Sequence, residues 1–182
     1  MSMAALSGIC MTSQRTRVRM IERLREQGIR DESVLAAMAA VPRHVFVEEA
    51  LASRAYDDTA LPLGMGQTIS QPYVVARMIE MLLAGRKGLG KTLEIGAGCG
   101  YQAAVLAQLT KEVYAVERLK PLLEKAKVNL RQLQQFNVRL KLADGNFGLP
   151  EAAPYDSIIV AAAAARVPTM LLQQLAPAGR MI

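Results

Sequence analysis

The sequence predicts an α/β fold with a doubly wound, mostly parallel sheet, and the order of its apolar segments is the main reason. From residue 91 onward, short apolar strands and amphipathic helices alternate in the order β-α-β-α-β-β-α-β. A glycine-rich turn joins the first of these strands to the first helix, as in open sheets that bind ligands at their carboxyl edge. We therefore expect two regions. Residues 1–85 form a helical appendage with a substrate-side loop, and residues 86–182 form a Rossmann-like ligand-binding core.

The glycine-rich turn gives the first indication of a ligand. Gly96, Gly98 and Gly100 follow a short apolar strand, and Glu94 precedes the first glycine by two residues. Dinucleotide sites instead have the pattern G-x-G-x-x-G, in which a pyrophosphate rests on the helix N-terminus. An acid beside the turn would repel a pyrophosphate, but it suits a ligand with an amino group and a positive sulfur. The pattern favours S-adenosyl-L-methionine, although a tight turn without a ligand needs the same glycines.

The next two predicted strands also end in polar residues. The second strand, residues 113–116, ends in Glu117, about 20 residues past the glycine turn, which is the spacing of an acid that binds a ribose diol. The third strand, residues 138–142, runs into Asp144 and Gly145. An Asp-Gly pair is common in hairpin turns, but here it closes a strand that alternates with helices. We expect both strand ends to lie at the ligand edge of the sheet.

The last part of the core is predicted from its apolar residues. Residues 155–165 predict a buried parallel strand followed by a loop of small residues. Pro168 begins a further helix, which we expect Pro177 and Gly179 to end. Met181 then begins a strand at the end of the sequence.

The first 85 residues predict helices. Residues 12–27 have a helical apolar stripe and several arginines, which are typical of a solvated helix face, and Gly28 suits the position after a helix. Asp31 is placed to cap a second helix. Two further segments complete this region.

A loop-rich stretch, residues 56–71, precedes a strongly apolar helix. Ser70 is placed to cap that helix, with Pro72 in its first turn. His44 is a candidate general base, but a lone histidine in a turn is more often structural.

Composition restricts the class of protein. The 182 residues are 52% hydrophobic, enough for a sizeable core, and no apolar run approaches the ~20 residues that span a membrane. The net charge of +6 favours an anionic partner only weakly. Cys10 and Cys99 are far apart, which predicts free thiols in the cytoplasm, and a single histidine excludes a common zinc site.

Three stretches resemble the protein-L-isoaspartate (D-aspartate) O-methyltransferases. They are residues 60–72 (ALPLGMGQTISQP), residues 93–102 (LEIGAGCGYQ), and residues 143–145 (ADG) together with residues 153–159 (APYDSII). The second stretch is shared by many class I S-adenosylmethionine-dependent methyltransferases, whereas the first is far more specific. Looser similarity extends from about residue 12 to the end of the chain.

The resemblance implies a cytoplasmic, monomeric repair enzyme. Such enzymes methylate the abnormal carboxylate of L-isoaspartyl and D-aspartyl residues in damaged proteins and peptides, and the ester then collapses to a succinimide. By resemblance Ser70 is the active-site residue, and it shares a substrate-binding loop with Gln67 and Thr68. The residues implied for S-adenosyl-L-methionine are Glu94, Gly96, Ala97, Gly98, Gly100, Glu117, Asp144 and Gly145. No metal, nucleic acid or membrane is implied.

The sequence departs from the family at a few positions. Ala97 and Cys99 stand where the family more usually has Thr and Ser, and both are small enough to keep the turn. Cys99 lies near a helix N-terminus, which predicts a lowered thiol pKa and sensitivity to oxidation. Family members continue past Gly179 with further strands, so we expect the C-terminal strands of the sheet to be missing.

Two alternatives use the same turn. One is an S-adenosylmethionine-dependent methyltransferase that acts on RNA or a small molecule, with the basic first helix as a nucleic-acid contact. Aromatic residues are only 4% of the chain, which disfavours stacking on nucleic acid. The other is a non-catalytic remnant that only binds the cofactor.

Overall fold

A computed structural model describes residues 14–163 and 167–182, and three helices dominate its N-terminal part. Gly28 adopts φ +97° after the first helix, and Asp31 accepts hydrogen bonds from the N–H groups of Ser33 and Val34 at the start of the second. Both helix-end predictions are confirmed. The helices are α1 (Gln14–Glu26), α2 (Glu32–Ala40) and α3 (Pro72–Leu83).

The stretch predicted as a loop contains a β-hairpin, and this expectation was incomplete. β1 (Leu61–Gly64) pairs with β2 (Gln67–Ile69) in an antiparallel sheet, and the turn between them uses Met65 at φ +54°. The strands are only four and three residues long, so they have too few alternating residues to be recognised. Two 3₁₀ segments, Arg43–Phe46 and Glu49–Arg54, connect α2 to this hairpin region.

The core is a five-stranded sheet in which every neighbouring pair is parallel. Its strand order is β5-β4-β3-β6-β7, so successive strands are added first on one side of β3 and then on the other, and a ligand crevice is expected between β3 and its two neighbours. The predicted alternation and the doubly wound, Rossmann-like architecture are confirmed. The strands are β3 (Thr92–Ile95), β4 (Val113–Glu117), β5 (Val138–Leu142), β6 (Tyr155–Val160) and β7 (Leu175–Met181).

Three helices join the strands on the two faces of the sheet. They are α4 (Tyr101–Leu106), α5 (Lys120–Gln132) and α6 (Thr169–Leu172). All six residues of α4 are buried, because its alanines let the backbone lie close to the sheet. α5 is amphipathic and buries one apolar stripe, as its periodicity predicts.

The end of the sheet differs from the prediction. α6 ends at Leu172, and β7 already begins at Leu175, so Pro177 and Gly179 lie within the strand and do not end the helix. Tyr155 pairs with Leu175 and Ser157 with Arg180, which leaves extra residues bulged out of β7. A proline is tolerated there because it lies at a bulge in a strand at the sheet edge.

One apolar core connects the N-terminal helices to the sheet. Met20 and Leu24 of α1 pack in the same buried cluster as Ile79 of α3 and Leu106 of α4. Each such side chain contributes ~1.5–3 kcal/mol through burial. The helices of residues 14–163 and 167–182 are all too short or too polar to cross a bilayer.

Candidate active site

A cavity of about 260 Å³ lies at the carboxyl ends of β3, β4 and β6, where the strand order reverses. Its floor is the glycine-rich turn after β3, and its outer wall is the β1–β2 hairpin. The predicted site residues that line it are Gln67, Thr68, Ser70, Glu94, Gly96, Ala97, Gly98, Glu117, Asp144 and Gly145. Gly100 is the one predicted site residue that does not.

The glycine turn is fixed by backbone hydrogen bonds to the neighbouring strand. The N–H groups of Gly96 and Ala97 both donate to the carbonyl oxygen of Val116, at 2.9 and 3.0 Å. Gly98 adopts φ +55°, and a side chain there would meet only a methyl group of Leu63, at 3.6 Å. The backbone at Gly98 therefore faces open cavity, as a close approach of a ligand requires.

Gly100 lies at the contact between two helices beside the turn. It adopts φ +89° at the start of α4, and a Cβ atom there would lie 3.2 Å from the Cβ of Ala126 in α5. It is a packing glycine that lets α5 approach the turn.

Glu117 is bound to the glycine turn through its side chain. Oε2 accepts a hydrogen bond from the N–H of Gly98 at 2.8 Å, and Oε1 accepts one from the N–H of Leu119 at 2.9 Å. The carboxylate is 7% exposed and lines the cavity. Two backbone donors thus hold a charged acceptor at the edge where a sugar diol is predicted to bind.

Glu94 lies deeper in the same cavity. Its side chain is 1% exposed, and its Oε2 has no hydrogen-bond partner among the described residues. Burial, and secondly the nearby Glu117 carboxylate, raise the pKa of Glu94 to about 8. A buried carboxyl oxygen without a partner is costly unless a ligand donates to it, and a cationic ligand would favour its ionised form.

The third polar strand end forms another part of the rim. Asp144 accepts hydrogen bonds from the backbone and side chain of Asn146 and starts the 3₁₀ segment Gly145–Phe147. A Cβ atom at Gly145 would lie 2.4 Å from Cγ2 of Ile95, so only glycine fits beside β3. The Asp-Gly pair does not form a hairpin, and it lies at the cavity edge as the alternation predicts.

The hairpin brings Ser70 to the cavity. β2 ends at Ile69, and Ser70 follows it, with a hydroxyl that hydrogen-bonds no described residue. The expectation that Ser70 caps α3 is wrong. Gln71 occupies the cap position, and Asp58 accepts instead from the N–H of Tyr73, at 3.0 Å. The Ser70 hydroxyl is therefore free to meet a ligand.

Gln102 is a candidate site residue that the sequence did not single out. Its side chain is 7% exposed and lines the cavity, and neither its Oε1 nor its Nε2 has a partner among the described residues. A buried amide without partners is unusual in native proteins. The signal that could have identified it is its place in the first turn of α4, directly after the glycine turn.

His44 and Cys99 differ from the other candidates. His44 Nδ1 lies 2.8 Å from the Tyr56 hydroxyl, outside the cavity lining, and burial and Arg17 lower its pKa. Its position supports the structural role.

Cys99 is a free thiol, 2% exposed, and burial raises its pKa to about 11. The predicted lowering of that pKa is wrong, because burial outweighs the helix N-terminus; Cys10 lies outside the described residues.

The cavity combines two chemical environments. Glu94, Glu117 and Asp144 are the acidic side chains of the cavity lining, and Arg118 is the basic one. The raised pKa of Glu94 keeps that carboxyl largely protonated at neutral pH until a cationic ligand favours its ionised form. The hairpin end offers a hydroxyl and neutral polar groups. The described residues include no group of three or more side chains able to bind a metal ion. The arrangement can hold a positively charged ligand against a second, polar ligand.

Comparisons with known proteins agree with this architecture. A family model described as protein-L-isoaspartate(D-aspartate) O-methyltransferase matches residues 15–182. The chain is similar to a protein-L-isoaspartate O-methyltransferase of Dechloromonas aromatica, with 81% identity over 97% of this chain and 82% of that protein. It is also similar to the protein of that name from Methylobacillus flagellatus, with 64% identity over 100% of this chain and 81% of the relative.

A solved structure shares the fold. It is a putative protein-L-isoaspartate O-methyltransferase from Plasmodium falciparum in complex with S-adenosyl-L-homocysteine. The two chains are 25% identical, with a TM-score of 0.78 over 90% of this chain and 81% of that one. The predicted resemblance is confirmed by these matches.

Proposed function

The chain belongs to the protein-L-isoaspartate(D-aspartate) O-methyltransferase family, and we propose that its cavity holds the methyl donor and the damaged side chain together. The enzyme transfers a methyl group from S-adenosyl-L-methionine to the abnormal carboxylate of L-isoaspartyl and D-aspartyl residues. The methyl ester is then lost when the following backbone nitrogen closes a succinimide. Methyl transfer is thus the first step of protein repair.

The site is assigned on one observation. The glycine turn and Ser70, which follows the β1–β2 hairpin, line the same cavity. The turn supplies backbone with no side chain at Gly98, and Glu117 is already held beside it. Glu94 and Gln102 supply buried polar atoms that have no hydrogen-bond partner among the described residues. These residues fit a ligand with a sugar diol and a positively charged amino-acid end.

We assign the donor to the acidic end of the cavity. Glu117 would accept from the ribose hydroxyls, Glu94 and Gln102 would meet the amino-acid end, and Asp144 with Gly145 would border the adenine. The bound donor supplies an electrophilic methyl group on a sulfonium. Gly96, Ala97 and Gly98 would provide the backbone surface of the turn.

The substrate carboxylate needs orientation more than activation. A carboxyl group with a pKa near ~4 is ionised at neutral pH, so no general base has to remove a proton. We assign Ser70 the role of orienting that carboxylate by a hydrogen bond, without a covalent intermediate. Gln67 and Thr68 are exposed on the same hairpin and would bind the peptide backbone. Catalysis then rests on alignment of the two reacting groups.

The remaining assignments are also proposals. Residues 1–85 would shape the substrate side and residues 86–182 the cofactor side. We place the protein in the cytoplasm as a monomer that binds no nucleic acid. The two distant cysteines and the low aromatic content support this placement.

One assay tests the function. The protein is incubated with methyl-labelled S-adenosyl-L-methionine and, separately, an isoaspartyl peptide, the aspartyl peptide of the same sequence, and RNA. Label transferred to the isoaspartyl peptide alone is the expected result. Transfer to RNA, or no transfer while S-adenosyl-L-homocysteine still binds, would contradict the proposal.

A further inference from the structure

Arg43 is buried behind Ser70 and contacts three separate segments of the chain. Its side chain is 0% exposed, and it does not line the cavity. Nε donates to the carbonyl oxygen of Ala55 at 2.8 Å, and Nη2 donates to the carbonyl oxygen of Ser70 at 2.7 Å. The guanidinium also lies over the ring of Tyr101, 4.7 Å from its centroid.

The three contacts connect the two sides of the cavity. Ser70 follows β2 and precedes α3, so its carbonyl takes no part in a strand or helix, and Arg43 is its donor. Tyr101 is the first residue of α4, directly after the glycine turn, and it also lines the cavity. Phe46 also packs against the Tyr101 ring in an edge contact, with ring centroids 5.4 Å apart. The planar guanidinium group of Arg43 therefore connects the Ser70 backbone to the first residue of α4, directly after the glycine turn.

Arginine is an unusual side chain for a buried position whose described contacts are two carbonyl groups and a ring. Its Nη1 has no hydrogen-bond partner among the described residues, and no acidic side chain forms a salt bridge with it there. An apolar side chain of similar volume would fill such a space at lower cost in desolvation. What arginine adds is a planar fork that fixes two carbonyl groups in one orientation and stacks on a ring.

We propose that Arg43 is a positioning residue of the methyl-transfer reaction, which aligns Ser70 with the glycine turn by holding the Ser70 carbonyl while it stacks on Tyr101. The proposal rests on the proposed role of Ser70. Small displacements of a positioned group from a reactive geometry lower the rate strongly, even when both ligands still bind. Loss of Arg43 should therefore affect turnover more than cofactor binding.

The test uses two variants and a matched control. Arg43→Lys keeps the charge, but an ammonium group cannot reproduce the fork, and Arg43→Met removes the buried charge while keeping similar bulk. The control is Arg23→Lys, because Arg23 donates to the carbonyl oxygen of Tyr56, next to the Ala55 contact of Arg43, without touching Ser70. All proteins are measured by isoaspartyl-peptide kinetics, by calorimetric titration with S-adenosyl-L-homocysteine, and by amide hydrogen exchange.

The expected result separates alignment from folding. Both Arg43 variants should lose about 10- to 100-fold in kcat, while the Kd for S-adenosyl-L-homocysteine changes by less than about threefold. Amide exchange in residues 66–72 should become faster in these variants and stay unchanged in Arg23→Lys. The Met variant removes the buried charge but leaves the carbonyl groups of Ala55 and Ser70 without this donor, whereas the Lys variant keeps a donor, so thermal denaturation of both variants establishes that they are folded before kcat is compared.

Other outcomes overturn the proposal. An unchanged kcat, or equal losses of kcat and cofactor affinity in both Arg43 variants, would show that Arg43 is only structural. If the unaltered protein fails to methylate the isoaspartyl peptide, the proposed function fails. Amide hydrogen exchange in residues 66–72 then still shows whether Arg43 positions this segment, because that measurement needs no substrate.

Discussion

The carboxylate of Glu117 accepts a hydrogen bond from the N–H of Gly98 at 2.8 Å, across the carboxyl ends of two neighbouring strands. This bond joins the glycine turn to the residue predicted to bind the ribose. It orients the acid before a ligand arrives, so little side-chain ordering is left to oppose binding.

Replacing Glu117 with Gln should weaken cofactor binding. The charged acceptor is lost, and the new amide NH₂ group faces a backbone N–H, so we expect the affinity for S-adenosyl-L-homocysteine to fall about 10- to 100-fold. Calorimetric titration measures this. Glu112→Gln, an exposed acid just before the same strand, is the control and should bind normally. Equal affinities of both variants for S-adenosyl-L-homocysteine would show that Glu117 does not bind the cofactor.

Replacing Ser70 with Ala should lower turnover while leaving cofactor affinity nearly intact. The hydroxyl lines the cavity and is not needed to cap α3, so its loss removes a substrate contact without loosening the helix. We expect kcat/KM for an isoaspartyl peptide to fall about 10-fold or more. Ser53→Ala, at an exposed position, is the control. A large loss of S-adenosyl-L-homocysteine binding in Ser70→Ala would refute the substrate role.

The buried Glu94 should make the ligand-free protein less stable as the pH rises. Its folded pKa, raised from 4.5 to about 8, means that the folded state keeps a proton that the unfolded state releases. The contribution is complete below pH 4.5 and is lost as the pH rises toward about 8, by at most about 1.4 kcal/mol per pH unit.

Denaturant unfolding across this pH range tests the effect against Glu94→Gln. The difference in free energy of unfolding between the two proteins should change steadily with pH over the window. His44 works in the opposite direction, because its lowered pKa removes stability as the pH falls below its ordinary value of 6.5. That contribution is the same in both proteins and cancels in the difference. Parallel pH profiles would show that Glu94 titrates normally.

Replacing Gln102 with Met should stabilise the protein but weaken ligand binding. Met has a similar length and no amide, so a buried unpaired group disappears, and we expect the free energy of unfolding to rise by about 1 kcal/mol. The affinity for S-adenosyl-L-homocysteine should fall at the same time. Gln108→Met, just beyond α4, removes an amide that already has partners and should bind normally. Unchanged affinity in Gln102→Met would mean that the amide faces no ligand.

Gly98→Ala and Gly100→Ala should fail in different ways. Both glycines have positive φ, which costs about 1–2 kcal/mol for alanine. Gly100→Ala also presses on Ala126 in α5, so its melting temperature should fall further. Gly98→Ala should lose more ligand affinity, because its methyl group would enter the cavity. Denaturation and calorimetric titration together check the order, and the reverse order would contradict the two roles.

Much of the fold and of the site was accessible from local patterns. The bounds of β5 and the end of β4 at Glu117 agree with the prediction, because β4 is an apolar run closed by an acid and β5 alternates apolar with basic residues. The hairpin β1–β2 was missed, since its strands are too short for a period to show. The start of β7 was also missed, because a bulge places Pro177 inside a strand.

Sequence alone determined the order of elements, the turn after β3 and the acids at the strand ends, because periodicity and covalent spacing record which faces are buried and where strands stop. Only the tertiary structure decided that Gly100 packs against α5, that the buried Gln102 amide has no partner among the described residues, and that Arg43 holds Ser70. These relationships join residues far apart in the chain or depend on which side of a turn faces the cavity. No local spacing encodes them, because they arise when separate elements pack together.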